Sequence, residues 1–255
     1  MKTKLSITVA LLLCIAILQS CAEDTTLPTS GNSTEDTRQT ALLRETEDYG
    51  DDYIDSFVFF GESTTYHMKS RGVLSGGTET KQVLADKSGT AILDENTYKM
   101  QILHPSSGKL ASLSEVLSDI KPKYLVLTFG LNGAVQNVKR GHEYFTSCYK
   151  KLIDTVRASS PNTKIILQSC FPVAKNMDMT NYSVTQEQLN DRINTLNGWT
   201  MELAESEDLR YLNTCEALTD GSGNLKLEYQ AGDGHHLTRN AYIVVLNYIR
   251  THGYK

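Results

Sequence analysis

Positive charge is in short supply in this 255-residue chain: 25 Lys and Arg stand against 30 Asp and Glu, a formal charge of −5. Without a basic excess nothing grips a phosphate backbone, which excludes nucleic acid as an expected partner. Long apolar runs are also missing. The most sustained, Leu5 to Leu18, has 14 residues, short of the roughly 20 that span a bilayer. Lys2 and Lys4 precede it and Gln19-Ser20-Cys21-Ala22 follows, the basic front and small-residue exit of a secretory signal. Cysteine is sparse as well. Of five, Cys14 and Cys21 fall in that leader, and Cys148, Cys170 and Cys215 remain. These allow at most one disulfide, for which Cys170 and Cys215 are placed, each after an expected strand; half-buried free thiols are the default. There is no Cys-x-x-Cys pair and no His/Cys cluster, so no metal or other cofactor is expected.

What is present divides the chain into three parts. Residues 1–21 form the expected export signal. Leu18-Gln19-Ser20-Cys21 also resembles the lipobox of bacterial lipoproteins, which implies lipid attachment at Cys21 and a membrane-anchored protein at the cell surface; cleavage beside the small Ser20 and Ala22, and free secretion, is the alternative. Residues 22–52 carry nine acids and two bases among Thr, Ser, Pro28 and Gly31. So few apolar side chains cannot offset the entropy of ordering, and a flexible spacer is expected. Residues 53–255 are neutral, with 21 charges of each sign, and long enough for one well-packed domain.

Within that domain short β-like runs alternate with helical ones, the pattern of a parallel sheet covered by helices. Strands are expected at Phe57–Phe60, Gln82–Ala85, Tyr124–Phe129, Lys164–Ser169 and Arg210–Asn213, with apolar content suited to burial on both faces. Phe145, Cys148, Leu152 and Val156, and then Leu189, Ile193, Leu196 and Leu203, recur at helical spacing. A last helix is expected over Leu237–Thr251. The fold class is therefore α/β, a three-layer α/β/α sandwich on a five-stranded parallel sheet, with its ligand cleft at the carboxyl ends of the strands.

Three short sequences fall at those ends. Gly61-Glu62-Ser63 follows the first strand, Gly130-Leu131-Asn132 follows the third, and Asp233-Gly234-His235-His236 opens the last helix. Singly each has an ordinary reading: Ser63 as a helix cap, Asn132 as a turn residue beside Gly133, Asp233 as a cap of the last helix. Jointly they resemble the SGNH, or GDSL, hydrolases, over roughly residues 55–255. The resemblance implies a flavodoxin-like fold and a serine esterase, with Ser63 as nucleophile, His236 as base and Asp233 as its orienting acid. It places the oxyanion hole at the Ser63 N–H, the Asn132 amide and a second-block glycine, for which Gly89 is preferred over Gly76 and Gly77. Two departures stand out: Glu62 replaces the Asp of Gly-Asp-Ser-Leu, and His235 stands where an apolar residue is usual.

The chemistry can be argued from the residues alone. A neutral hydroxyl needs a base, an imidazole can supply one, and a carboxylate on the other ring nitrogen fixes the tautomer and stabilises the imidazolium. The substrate is a separate matter: the resemblance, together with the expected export, implies short acyl esters, O-acetyl groups above all, on a carbohydrate or cell-envelope polymer, with a silent glycan-binding lipoprotein, a thioesterase and a lipase as the alternatives. His67, His104, His142 and His252 have no partner at a telling spacing and read as surface or structural residues, and Trp199 as packing.

Overall fold

The structure, a computed structural model, describes residues 41–86, 88, 89 and 91–254. The expected export signal with Cys21, and the spacer as far as residue 40, lie outside these residues.

The domain is built from α1 (Asp51–Asp55), β1 (Phe57–Gly61), α2 (Ser63–Ser70), β2 (Val83–Leu84), β3 (Gln101–Leu103), β4 (Leu110–Ser112), α3 (Leu113–Ile120), β5 (Tyr124–Thr128), α4 (Ala134–Arg140), α5 (His142–Ser159), β6 (Lys164–Gln168), α6 (Gln186–Ser206), β7 (Arg210–Leu212), α7 (Cys215–Leu218) and α8 (Arg239–Arg250). Five strands form one parallel sheet in the order β2-β1-β5-β6-β7. The chain therefore winds outward one way from β1 and then the other way from β5. Ligands bind where that order reverses, outside the carboxyl ends of β1 and β5.

Side-chain alternation along the strands builds a core on each face. Leu125 and Leu127 point to α3, α5 and α6, where they meet Val116, Leu152, Ile193 and Leu196. Val126 points the other way, to Phe57, Phe59, Val245 and Ile249. Leu125, Val126 and Leu127 are all fully buried. Each such side chain stabilises the fold by about 1.5–3 kcal/mol relative to exposure, which makes β5 the rigid centre of the sheet.

The folded domain begins earlier than the expected boundary at residue 53. Leu43 N–H donates to the Tyr211 carbonyl at 2.8 Å, and Tyr211 N–H to that of Ala41 at 2.8 Å, so this segment extends the β7 edge in parallel. Ala41 and Leu43 are buried, while Asp48 and Asp51 pair with Arg250 of α8. The acidic composition of 22–52 conceals two apolar anchors and an ion-pair clamp. Other differences are small. A β3–β4 hairpin, a feature without strong alternation in the sequence, precedes α3. Helix α8 starts at Arg239 because Leu237 bridges to Gln230 and Thr238 caps the helix. Cys148, Cys170 and Cys215 are all free thiols. Among the described residues no helix is long and apolar enough to cross a membrane.

Candidate active site

β1 ends on Gly61, and the chain turns directly into α2. Any side chain at Gly61 would meet the Thr128 carbonyl and the Thr65 hydroxyl, with a Cβ only 2.4 and 2.3 Å away. Glycine is thus what lets the strand lie close enough to β5 to start a helix at once. Glu62, not Ser63, occupies the N-cap position. Ser63 is the first helical residue, where a backbone N–H has no intrahelical acceptor, and its side chain is free of capping duty.

Asp233, His235 and His236 come from the loop before α8, which folds back on itself: Ala231 N–H donates to the His236 carbonyl at 2.8 Å. Gly234 sits at φ +85° with the Met177 backbone 2.6 Å from where a Cβ would be, a conformation and an approach that only glycine allows. Asp233 is not the helix cap, a role held by Thr238. Its Oδ1 accepts the His236 backbone N–H at 2.9 Å and its Oδ2 lies 2.6 Å from His236 Nδ1. His236 Nε2 lies 3.0 Å from Ser63 Oγ. Three side chains from the two ends of the chain thus form one continuous hydrogen-bonded relay. Because a carboxylate only accepts, Nδ1 carries the proton and Nε2 is left to accept from the serine.

Burial works to raise the Asp233 carboxyl, but the backbone N–H and imidazole of His236 and the backbone N–H of His235 outweigh it and hold the group below the ordinary carboxylate range. Glu62 is the opposite case. At 1 % exposure, burial pushes it up to about 7, against the backbone N–H groups of Asn132, Gly130 and Leu131. Its Oε1 accepts from Gly130 N–H at 2.9 Å and its Oε2 from Asn132 N–H at 3.0 Å. The residue that replaces the usual Asp therefore ties the turn before Ser63 to the loop bearing Asn132. The Asn132 amide donates one hydrogen to the Ala91 carbonyl at 3.1 Å, which leaves the other for a ligand.

These residues open onto a cleft of about 490 Å³ lined by Ser63, Tyr66, Gly89, Ile92, Asn132 and His236, among others. Of the residues expected from sequence, Ser63, Asn132, Asp233 and His236 converge here. Gly89 lines the cleft, but its N–H donates to Asp86 Oδ1 at 2.7 Å, so the expected third oxyanion donor is engaged within its own loop. His67 was not expected here. One helical turn after Ser63, it stacks on His236 with ring centroids 4.3 Å apart, and burial together with the neighbouring His236 and Arg71 lowers it to about 4, which keeps it neutral. The spacing of four from Ser63 was the signal that could have placed it on the same helix face.

Residues 59–243 match the model of the GDSL-like lipase/acylhydrolase family. No curated protein matches the chain. Among solved structures, a Bacteroides fragilis protein assigned as an acylhydrolase is 17% identical over 86% of this chain and 94% of its own, with a TM-score of 0.53. A carbohydrate acetylesterase from Sinorhizobium meliloti is 14% identical over 76% and 95% of the two chains, with a TM-score of 0.51. At such identity these likenesses speak for the fold. With a family match over most of the chain and a fold like that of those relatives, the protein belongs to the GDSL-like lipase/acylhydrolase, or SGNH, hydrolases and is an ester-hydrolysing enzyme.

Proposed function

We propose that this enzyme is a serine esterase that removes short acyl groups, acetyl above all, from a carbohydrate or cell-envelope polymer. The observation that carries the mechanism is the unbroken relay from Asp233 through His236 to Ser63, with contacts of 2.6 and 3.0 Å. His236 Nε2 takes the hydroxyl proton as Ser63 Oγ attacks the ester carbonyl, and Asp233 stabilises the imidazolium that results. The developing oxyanion meets the Ser63 N–H at the start of α2 and the Asn132 amide; one such donor is worth about 2.7–4 kcal/mol of barrier. His236 then protonates the departing alkoxide. Water repeats the cycle on the acyl-enzyme, returning Ser63 and releasing the acid.

The cleft lining supports the preference for short acyl groups. Among the described residues, Ile92, half exposed, is its sole aliphatic side chain, beside Tyr66, three imidazoles, two serines and an amide. A long acyl chain would find little apolar surface to bury, whereas an acetyl group needs little. Export, with a lipid anchor at Cys21, belongs to the same proposal and supplies an extracellular substrate. Hydrolysis of p-nitrophenyl esters of increasing chain length by the wild type, Ser63→Ala and His236→Ala tests it. The expected result is highest kcat/KM with acetate and loss by orders of magnitude in both variants. Activity that persists in folded Ser63→Ala would overturn the mechanism, and absence of turnover in all three would favour a glycan-binding role.

A further inference from the structure

Asp233 is shared between two imidazoles. Its Oδ2 is 2.6 Å from His236 Nδ1 and its Oδ1 is 3.5 Å from His235 Nδ1. The two rings lie with centroids 4.0 Å apart, and one donor atom from each of the three side chains falls within 4.8 Å of the others. The His235, His236 and Asp233 side chains keep 24, 19 and 44% of their surface accessible, so an ion can arrive from solvent and retain an open position for water. Two imidazole nitrogens and one carboxylate suit zinc-class ions, unlike the all-oxygen sets of calcium or magnesium. Bonds of about 2.0–2.2 Å set neighbouring ligand atoms of a tetrahedral ion about 3.3 Å apart, which falls within the observed spread. Hydrolysis by the proposed relay uses His236 and Asp233 but has no task for His235, the residue that departs from the apolar one usual at this place.

We propose that Asp233, His235 and His236 form a binding site for a divalent zinc-class ion, and that its occupation reversibly switches off hydrolysis. The ion binds the Nδ1 lone pair of the other neutral tautomer of His236, so the ring keeps its one proton but carries it on Nε2 instead of Nδ1. Nε2 then has no lone pair with which to accept the Ser63 proton, and Asp233 is diverted from stabilising an imidazolium. The metal site stands independently of the serine mechanism; the inhibition rests on it.

Cobalt(II) titration of the full protein, read by the visible absorption of tetrahedral cobalt, tests the site. Zinc inhibition of p-nitrophenyl acetate hydrolysis, scaled to each variant's own metal-free rate, tests the consequence. The band is expected in the wild type and in Ser63→Ala, which removes no ligand, and is lost in His235→Leu. Zinc inhibition, reversed by EDTA, should require at least about tenfold more metal in His235→Leu. No band in the wild type, or equal zinc sensitivity in the two proteins, would overturn the site. A band without inhibition would overturn its link to catalysis. Should Ser63→Ala retain hydrolysis, the serine reading fails while the cobalt spectrum still decides the metal site.

Discussion

The cleft is built from two halves that treat a carboxylate in opposite ways. On the sheet side, Glu62 is buried, pushed up to about 7, and spends both oxygens on backbone N–H groups of the Gly130–Asn132 loop. On the loop side, Asp233 is exposed and held below the ordinary range by the groups it orients. The first carboxylate fixes geometry at the cost of desolvation; the second is placed where charge is needed and water helps to carry it. Ser63 and Asn132, the proposed nucleophile and oxyanion donor, thus belong to the half held by the centre of the sheet, and the proposed acid–base pair to a surface turn held by Gly234 and Gln230. Precision is needed most where the new bond forms, and that half is the one anchored to the fully buried β5.

The comparison breaks most visibly at the relay. Ser63→Ala or His236→Ala should lower kcat by about 10⁶-fold, as expected where members of a relay act as a unit. Asp233→Asn, which keeps the shape but offers the wrong tautomer partner, should cost about 10⁴-fold and lower thermal stability modestly at neutral pH, since the native contacts favour the ionised carboxylate. Asn132→Ala should lower kcat about 10²- to 10³-fold with little change in KM. Glu62→Gln turns one acceptor into a donor that faces an N–H; leaving a buried donor unpaired costs about 1–3 kcal/mol, so kcat should drop about 10- to 100-fold. Glu62→Asp should recover part of that loss. A rate for Glu62→Gln equal to that of the wild type would remove Glu62 from any role in placing Asn132.

Stability against pH sharpens the same comparison. Glu62 titrates at about 7 when folded and near 4.3 in an unfolded chain. Between these values the native state holds more protons, so stability falls as pH rises from about 4.5 to about 7 and levels off above, by up to about 4 kcal/mol. Denaturant midpoints from pH 4.5 to 8 should show this slope in the wild type, and Glu62→Gln should lack it. Parallel curves for the two proteins would contradict the buried charge.

How much of this was legible in the sequence follows the same division. The five strands were visible because a parallel sheet buried on both faces writes unbroken apolar runs such as Tyr124–Thr128. The relay residues were visible because they sit directly after those strands or before α8. What escaped depends on contacts across the chain. The role of Glu62 needs a partner loop 68 to 70 residues away, and the stacking of His67 needs the loop before α8 to bring His236 beside it. Gly89 had the right interval, yet local capture of its N–H by Asp86 is a matter of loop geometry that composition does not carry. Likewise Ala41 and Leu43 look isolated in an acidic stretch until the β7 edge supplies Tyr211.

The central claim is that Ser63 is a nucleophile activated by His236. Labelling of the protein with a fluorophosphonate, followed by peptide mapping, addresses it without any assumption about substrate. The account predicts a single adduct on Ser63, formed far more slowly in His236→Ala and absent in Ser63→Ala. An adduct on another residue, or labelling of equal rate in the folded His236→Ala protein, would contradict it.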